Sequence, residues 1–105
     1  MPLTDEAMSA FLRTPLGDDL EQVPGITPAT AHTLRLRGIT NTHRLLGQLL
    51  LLRPDRGSKA AYLKSCAQWM QDAGVKTNRA DIVHALSEKV EVVLPEVFAF
   101  REPND

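Results

Sequence analysis

The segment 23–34, with the sequence VPGITPATAHTL, carries the residues of this chain that are best suited to binding an anion. Gly25 can adopt the positive φ that a tight turn between two helices requires. Thr27 and Pro28 then mark a helix start, because threonine caps a helix and proline fits its first position. The first N–H groups of a helix have no intrahelical acceptor, and together with the helix dipole they favour a phosphate. The segment therefore predicts either a phosphate-binding hairpin or a purely structural connection between two helices.

Residues that enzymes commonly use do not form a catalytic pattern in this sequence. His32, His43 and His84 lack the spacing that is typical of metal ligands. Cys66 is the single cysteine and cannot form an internal disulfide, which favours a reducing compartment. Because it falls inside a predicted helix, we expect a buried and inert thiol. The sequence thus predicts no enzymatic activity and no metal, cofactor or small-molecule substrate.

Six helical segments are predicted around these residues, without a convincing strand. They are a first helix capped by Thr4, a short second helix after Asp18, a third from Thr27 to about Arg37, a fourth from about Asn41 to Leu52, a fifth from about Lys59 to Ala73, and a sixth capped by Thr77 or Asn78. In the second, the spacing of Asp18 and Glu21 resembles a capping box. Gly38 and Gly74 end the third and fifth helices, and Pro95 ends the sixth.

The composition is that of an ordinary globular domain. The chain has 105 residues, of which 43% are hydrophobic and 24% charged, with a net charge of −1. This charge neither requires nor excludes a nucleic acid, because a local basic patch matters more than the sum. The acidic N-terminus and the short apolar run Leu49–Leu52 predict neither a signal peptide nor a membrane span, hence a protein that is not secreted. We expect one domain over residues 1–100 and a short flexible tail over 101–105.

Two patterns in the first half of the chain resemble known DNA-binding proteins. Gly25-Ile26-Thr27-x-x-x-Ala31 resembles the helix-hairpin-helix, which binds the DNA backbone without reading sequence. The longer segment 11–52 resembles the barrier-to-autointegration factor family, above all in the sequence LLGQLLLL at 45–52. The similar positions are Phe11, Pro15, Leu16, Gly17, Gly25, Ile26, Leu34 and Gly38, followed more weakly by Tyr62, Leu63, Lys64, Gly74, Asp81 and Leu86.

The resemblance implies an all-α, compact domain of five or six helices with the SAM/BAF-like fold, forming a two-fold dimer. Each subunit would present one hairpin to double-stranded DNA, so that the dimer bridges two duplexes and compacts chromatin. The implied phosphate contacts are Gly25, Ile26, Thr27, Ala29 and Thr30, with a second set at Val75, Lys76, Thr77 and Asn78. The resemblance also implies a nuclear or otherwise DNA-associated protein, where the sequence by itself predicts a cytoplasmic one, and a groove across the dimer for a helical protein partner.

The chain departs from the family where the family is basic. His32 and Thr33 stand where members of the family carry lysines on the second hairpin helix, and the N-terminus is acidic where theirs is basic. Asp18 and Asp19 also precede the hairpin closely. Each lost phosphate contact removes salt-dependent affinity, so DNA binding is expected to be weak or replaced by partner binding. The alternative function is therefore a dimeric protein-interaction module with weak or no DNA binding.

The leucine-rich segment 45–52 has more apolar residues than one helical face can bury. Gly47 costs a helix about 1 kcal/mol relative to alanine, which indicates that another element approaches it closely. A helix from a second subunit would explain both observations, and the alternative is a fully buried central helix. The expected dimer interface consists of Leu46, Gly47, Leu49, Leu50 and Tyr62. Tyr62 shares a helix face with Trp69, so both could instead belong to the core or line a partner groove.

Overall fold

The computed structural model describes residues 4–99 as five α-helices joined by short loops, with no β-strand in that range. The helices are α1 Asp5–Arg13, α2 Pro28–Leu36, α3 Thr42–Leu51, α4 Lys59–Asp72 and α5 Arg79–Val93. Short 3-10 turns at Leu20–Gln22 and Pro95–Phe98 precede α2 and follow α5. The expected all-helical class is confirmed, and the expected tail 101–105 lies outside the described residues. Within the described range, no helix is long and apolar enough to cross a membrane.

Local sequence signals explain most of the helix ends. The side-chain oxygens of Thr4, Thr27 and Asn41 each accept a hydrogen bond from the N–H three residues later, at 2.8–3.2 Å. These bonds satisfy amides that would otherwise have no acceptor at the helix start. Gly38 and Gly74 follow α2 and α4 with φ values of +84° and +100°, which is the left-handed ending expected for glycine.

One predicted cap is wrong, and a second residue caps its helix without a side-chain hydrogen bond. The short second helix is a 3-10 turn, and its cap is Asp19 rather than Asp18, with the Asp19 carboxylate accepting from the Glu21 N–H at 2.9 Å. The turn is only three residues long, so the cap must stand immediately before it, where its carboxylate reaches the second amide. Asn78 is the N-cap residue of α5, as predicted, with a left-handed φ of +60°, but its side chain makes no capping hydrogen bond and donates to the Gly25 carbonyl instead.

The hydrophobic core is built around α5, which packs against α1, α4 and the 3-10 turn that follows it. Ile82, Leu86 and Ala85 on α5 are completely buried. The other elements contribute buried side chains to the same cluster, among them Phe11, Leu20, Leu34, Leu45, Tyr62 and Met70. One continuous core therefore holds the hairpin, α3 and α4 on a common support.

A buried lysine fixes α1 on α5. Lys89 is only 4% exposed, and its ammonium group donates to the carbonyl oxygens of Phe11 at 3.0 Å, Leu12 at 3.2 Å and Thr14 at 2.5 Å. These carbonyls belong to the C-terminal end of α1, where helical donors are missing and where the helix dipole favours a cation. Lys89, which belongs to α5, thus supplies hydrogen-bond donors to carbonyls at the C-terminal end of α1.

The cysteine has the inert environment that was expected. Cys66 is 1% exposed, and its burial raises the pKa of the thiol to about 11, which disfavours the reactive thiolate. Burial likewise raises the pKa of the Tyr62 phenol to about 12. Across residues 4–99, no three His, Cys, Asp or Glu side chains converge as metal ligands would.

Candidate nucleic-acid interface

A groove of about 340 Å³ lies between the start of α2 and the loop that precedes α5. It is lined by Thr27, Ala29, Thr30, Thr33, Gly74, Val75, Lys76 and Thr77. The sequence predicts phosphate contacts in two separate segments, 25–30 and 75–78, and the fold brings members of both into this one groove. We call it the hairpin groove.

The sequence analysis did not select Thr33 and Gly74 as members of this groove. Thr33 lies one helical turn after Ala29, so helical periodicity alone could have included it. The hydroxyl of Thr33 donates to the Ala29 carbonyl at 3.1 Å and is therefore engaged within α2. Gly74 ends α4, and only the tertiary fold brings it opposite the hairpin.

The hairpin turn is locked against the start of α5. Gly25 has a φ of +96°, and a Cβ atom at this position would lie 3.0 Å from Cγ1 of Ile82. The side-chain amide nitrogen of Asn78 donates to the Gly25 carbonyl at 3.1 Å, and the backbone N–H of Ile26 donates to the Val23 carbonyl at 3.1 Å. Glycine is therefore required at position 25 both for its backbone conformation and for the close approach of α5.

Three of the residues implied as phosphate contacts are engaged inside the chain, namely Ile26, Val75 and Thr30, which is 5% exposed and has its N–H bonded to the Thr27 hydroxyl. The side chains of Ile26 and Val75 are 6% and 2% exposed. The N–H of Ile26 closes the turn on Val23, and the N–H of Val75 donates to the Met70 carbonyl at 2.9 Å. Val75 lines the groove and Ile26 does not, so the exposed surface of the groove comes mainly from their neighbours.

The start of α2 leaves backbone donors at the surface. Within residues 4–99, the N–H groups of Thr27 and Ala29 find no acceptor, and both residues are exposed. Pro28 between them has no N–H, and the Thr30 N–H is used by the Thr27 cap. Two amides at the positive end of the α2 dipole are the arrangement that binds an anion at a helix N-terminus.

The charge around the hairpin groove is sparse. Lys76 is the charged residue that lines it, and in the described part of the chain Lys76 makes no ion pair. A neighbouring pocket of about 470 Å³ continues the polar surface beyond Lys76 to Lys64, Arg79 and Asp81. His32 is exposed on α2, but it does not line the groove. The site therefore relies on backbone donors and few cations.

Of the five residues expected at the dimer interface, three pack within their own chain. Leu46, Leu49 and Tyr62 are 7%, 5% and 3% exposed, and the Tyr62 hydroxyl donates to the Leu49 carbonyl. Gly47 and Leu50 are half-buried, and no described atom lies within 4 Å of where a Gly47 Cβ would be. The approach expected at Gly47 is thus not made by the described part of this chain.

The alternative of a fully buried α3 is wrong, because Leu51 is 81% exposed. Val92, Val93 and Leu94 at the end of α5 are 60%, 47% and 46% exposed. Arg53, two residues after Leu51, lines a groove of about 420 Å³ together with Val93 and Leu94, so the ends of α3 and α5 lie together.

We call Leu51, Val92, Val93 and Leu94 the apolar cluster. The sequence analysis did not select it, since a helical stripe alone does not show which of its residues the fold leaves uncovered. Large apolar side chains that stay exposed at neighbouring helix ends favour an interaction surface.

Comparison with known proteins identifies the family to which this fold and groove belong. A family model described as barrier to autointegration factor matches residues 3–92, which is most of the chain. Neither a curated protein nor a solved structure gives a significant match. The matched range includes the hairpin, the leucine-rich helix and nearly all of α5. The chain therefore belongs to the barrier-to-autointegration factor family, whose members bind DNA.

Proposed function

We propose that this protein is a homodimer that binds double-stranded DNA through its phosphates and bridges two duplexes without reading their sequence. The observation that carries the proposal is the hairpin groove, in which exposed helix-start amides and a lysine come together. Membership of a non-enzymatic DNA-binding family supports the same interpretation, and the protein would be found with DNA in the cell.

The proposed contacts are made mainly by the backbone. The N–H groups of Thr27 and Ala29 donate to phosphate oxygens, the Thr77 hydroxyl adds a polar contact at the rim, and Lys76 supplies the cation. Such groups carry no information about bases, so any duplex segment can be bound. The remaining predicted site residues shape the groove and the turn; they are Gly25, Ile26, Thr30, Val75 and Asn78.

One groove is expected to bind DNA weakly. Affinity for the phosphate backbone comes largely from released counterions, and each groove supplies few cations to release them. Two grooves on a dimer change this on long DNA, where binding by the first raises the effective concentration of the second. A bridging protein with weak single sites therefore condenses long DNA at concentrations where a short duplex is barely bound.

The dimer is proposed to form through the C-terminal half of α3. Gly47 and Leu50 keep free surface in this region, and the apolar cluster supplies further side chains at the ends of α3 and α5. An isologous contact places the same patch of each subunit opposite its copy. Such a contact removes the Leu51 side chains of both subunits from water. Leu46, Leu49 and Tyr62 would then support the contact from the core beneath it.

A matched pair of charge variants tests DNA binding without disturbing the fold. Ala29 and Ala60 are both exposed at the second position of a helix, in α2 and α4. Glutamate is favourable at either position because it complements the helix dipole. Ala29→Glu also places a negative charge against the proposed phosphate, so its affinity for a duplex of about 20 base pairs should fall at least tenfold. Ala60→Glu adds the same charge away from the hairpin groove and should bind like the wild type.

A mobility-shift titration at two salt concentrations gives the answer. Wild-type binding should weaken steeply with salt and be insensitive to base sequence. Equal affinities for the two variants, with both folded by circular dichroism, would remove the hairpin groove from the mechanism.

The exposed apolar cluster favours a second candidate, a dimeric protein-interaction module with weak or no DNA binding. The apolar cluster is suited to contact with another protein, whereas the hairpin groove has a single lining cation to attract DNA. If this candidate is right, the wild type still dimerises but leaves both short and kilobase DNA unbound at low salt. The same titration, read together with light scattering, therefore separates the two functions.

A further inference from the structure

The residues after α5 fold back across the surface between α3 and α4. We call Leu94–Ala99 the strap; it contains the 3-10 turn Pro95–Phe98. The guanidinium group of Arg53 donates to the carbonyl oxygens of Val97 at 2.6 Å and Ala99 at 3.2 Å. One side chain in the α3–α4 loop thus holds two backbone carbonyls of the strap.

An aromatic contact completes the attachment. The ring of Phe98 lies 5.8 Å from the ring of Tyr62, centroid to centroid, at an interplanar angle of 45°. The Lys59 ammonium lies 4.8 Å from the centroid of the Phe98 ring and also pairs with the Glu91 carboxylate. Phe98 is therefore held between an aromatic side chain and a cation, both favourable neighbours for a ring.

The strap and the surface beneath it come from different parts of the chain relative to the range matched by the family model. Arg53, Lys59 and Tyr62, which we call the docking surface, lie within the range matched by the family model, whereas Pro95–Phe98 follows that range. Most of the strap remains at the surface, with only Val97 and Phe98 partly buried against the core. The strap thus covers Arg53, Lys59 and Tyr62 with residues that lie outside the matched range.

The contacts are of the kind that recognise a peptide. Arg53 binds the backbone carbonyls at the end of a 3-10 turn, which do not depend on side-chain identity, and a single position is selected for an aromatic ring. The groove of about 420 Å³ beside the strap, lined by Val93, Pro95 and Arg53, leaves room for a longer segment. A segment in solution must compete with the strap, whose attachment gives it a high effective concentration.

We propose that the docking surface is a peptide-binding site and that the strap is its built-in competitor. The ligand is a short segment of another protein that adopts the same 3-10 turn and in which an apolar residue directly precedes an aromatic one, as Val97 precedes Phe98. The site uses none of the residues of the hairpin groove. The proposal therefore does not depend on the DNA contacts of the hairpin groove, although the strap shares Leu94 with the apolar cluster.

The test uses the full chain and a labelled peptide with the strap sequence LPEVFA, blocked at both ends, followed by fluorescence anisotropy. Phe98→Ala loosens the strap and should bind this peptide at least tenfold more tightly than the wild type does. The peptide LPEVAA should not bind to either protein. Adding Arg53→Gln to Phe98→Ala should reverse the gain, and Leu36→Ala, which truncates an exposed leucine elsewhere, should behave as the wild type.

Several results would overturn the proposal. One is a folded Phe98→Ala protein that binds LPEVFA no better than the wild type does, or that binds both peptides equally. Another is a loss of dimer mass in Phe98→Ala, which would make the strap a contact between two copies. If Phe98→Ala does not fold, the wild type is titrated with the peptide to tens of millimolar. An Arg53 side-chain NMR resonance that does not move would then contradict the proposal, whereas DNA affinity should be unchanged throughout.

Discussion

The hairpin groove and the apolar cluster are both exposed surfaces, but they are built in opposite ways. At the hairpin, Ile26 and Val75 turn their side chains into the core, and the surface is left with backbone donors and Lys76. At the end of α3, the core takes Leu46 and Leu49, and Leu51 is left in solvent. The first surface is polar over an apolar base, whereas the second is itself apolar.

This difference indicates what each surface can bind. Backbone donors at a helix start favour an anion, and they work at a hydrated interface because phosphate contacts do not need a dry one. An exposed leucine gains free energy only when another apolar surface removes it from water, at roughly 25 cal/mol per Å². The hairpin groove is therefore suited to a polyanion and the apolar cluster to a protein. Bridging requires both, one surface to bind DNA and the other to join two subunits.

The largest expected effect comes from Gly47→Glu, which should abolish the condensation of kilobase DNA. A glutamate in the middle of an apolar contact would be buried without a partner, so the dimer should dissociate. The fold should survive, because no described atom lies within 4 Å of the new Cβ and glutamate favours a helix more than glycine does. Single-molecule extension of long DNA measures the condensation, and sedimentation measures the mass.

Gly47→Ala is the control for this variant. It should stabilise the chain by about 1 kcal/mol if Gly47 faces open solvent, and weaken the dimer if a second helix packs there. A wild type that is monomeric at tens of micromolar, or a monomeric variant that still shortens DNA, would make bridging the wrong mechanism.

The next effect is expected at the hairpin, where Gly25→Glu should lower DNA affinity by more than tenfold. The positive φ of Gly25 and the 3.0 Å approach to Ile82 strain any side chain, at a cost of about 2 kcal/mol in the free energy of unfolding. Gly38→Glu is the matched control, because Gly38 has a φ of +84° and no described atom near its Cβ position. Both variants should lose stability in urea, but only Gly25→Glu should lose binding in a mobility shift.

Local signals in the sequence predicted much of this fold. Caps such as Thr4 and Thr27, and stops such as Gly38, act within one helical turn, so the local sequence is sufficient to predict them. The roles of Asn78 and Lys89 were not predictable in this way. The side-chain amide of Asn78 donates to the Gly25 carbonyl, and the Lys89 ammonium donates to carbonyls at the end of α1. Both roles therefore depend on the tertiary fold.

In the candidate site, too, the local features could be predicted from the sequence, and the contacts between distant segments could not. The turn and the cap of the hairpin follow from Gly25 and Thr27, and the fold adds that segment 75–78 lies beside them. At α3, the count of leucines indicated excess apolar surface but not its position. Which leucine stays exposed depends on how α3 packs against the rest of the chain, and that places Leu51 outside the core.

A smaller effect is expected for Leu51→Lys, which should weaken dimerisation about tenfold without affecting the fold. Leu51 is 81% exposed, so in the single chain its replacement should change the free energy of unfolding by less than about 0.5 kcal/mol. Leu36→Lys is the control, because Leu36 is a 74% exposed leucine on α2 that does not belong to the apolar cluster. Sedimentation equilibrium of the two variants distinguishes a specific contact from a general effect of removing an exposed leucine. Equal dissociation constants would move the interface away from the apolar cluster.

The smallest effect is expected for Lys76→Gln, and it tests how the hairpin groove binds. Lys76 is exposed and makes no ion pair in the described part of the chain, so its replacement should leave stability unchanged. Each lysine that neutralises a phosphate adds about one unit to the slope of log affinity against log salt. Lys76→Gln should therefore reduce the slope by about one and the affinity at low salt by about fivefold, equally for all DNA sequences. Arg56→Gln, an exposed cation in the loop near the strap, should leave the slope as it is. If the slope falls equally in both variants, binding follows the overall charge of the protein, and the contrast between the hairpin groove and the apolar cluster does not hold.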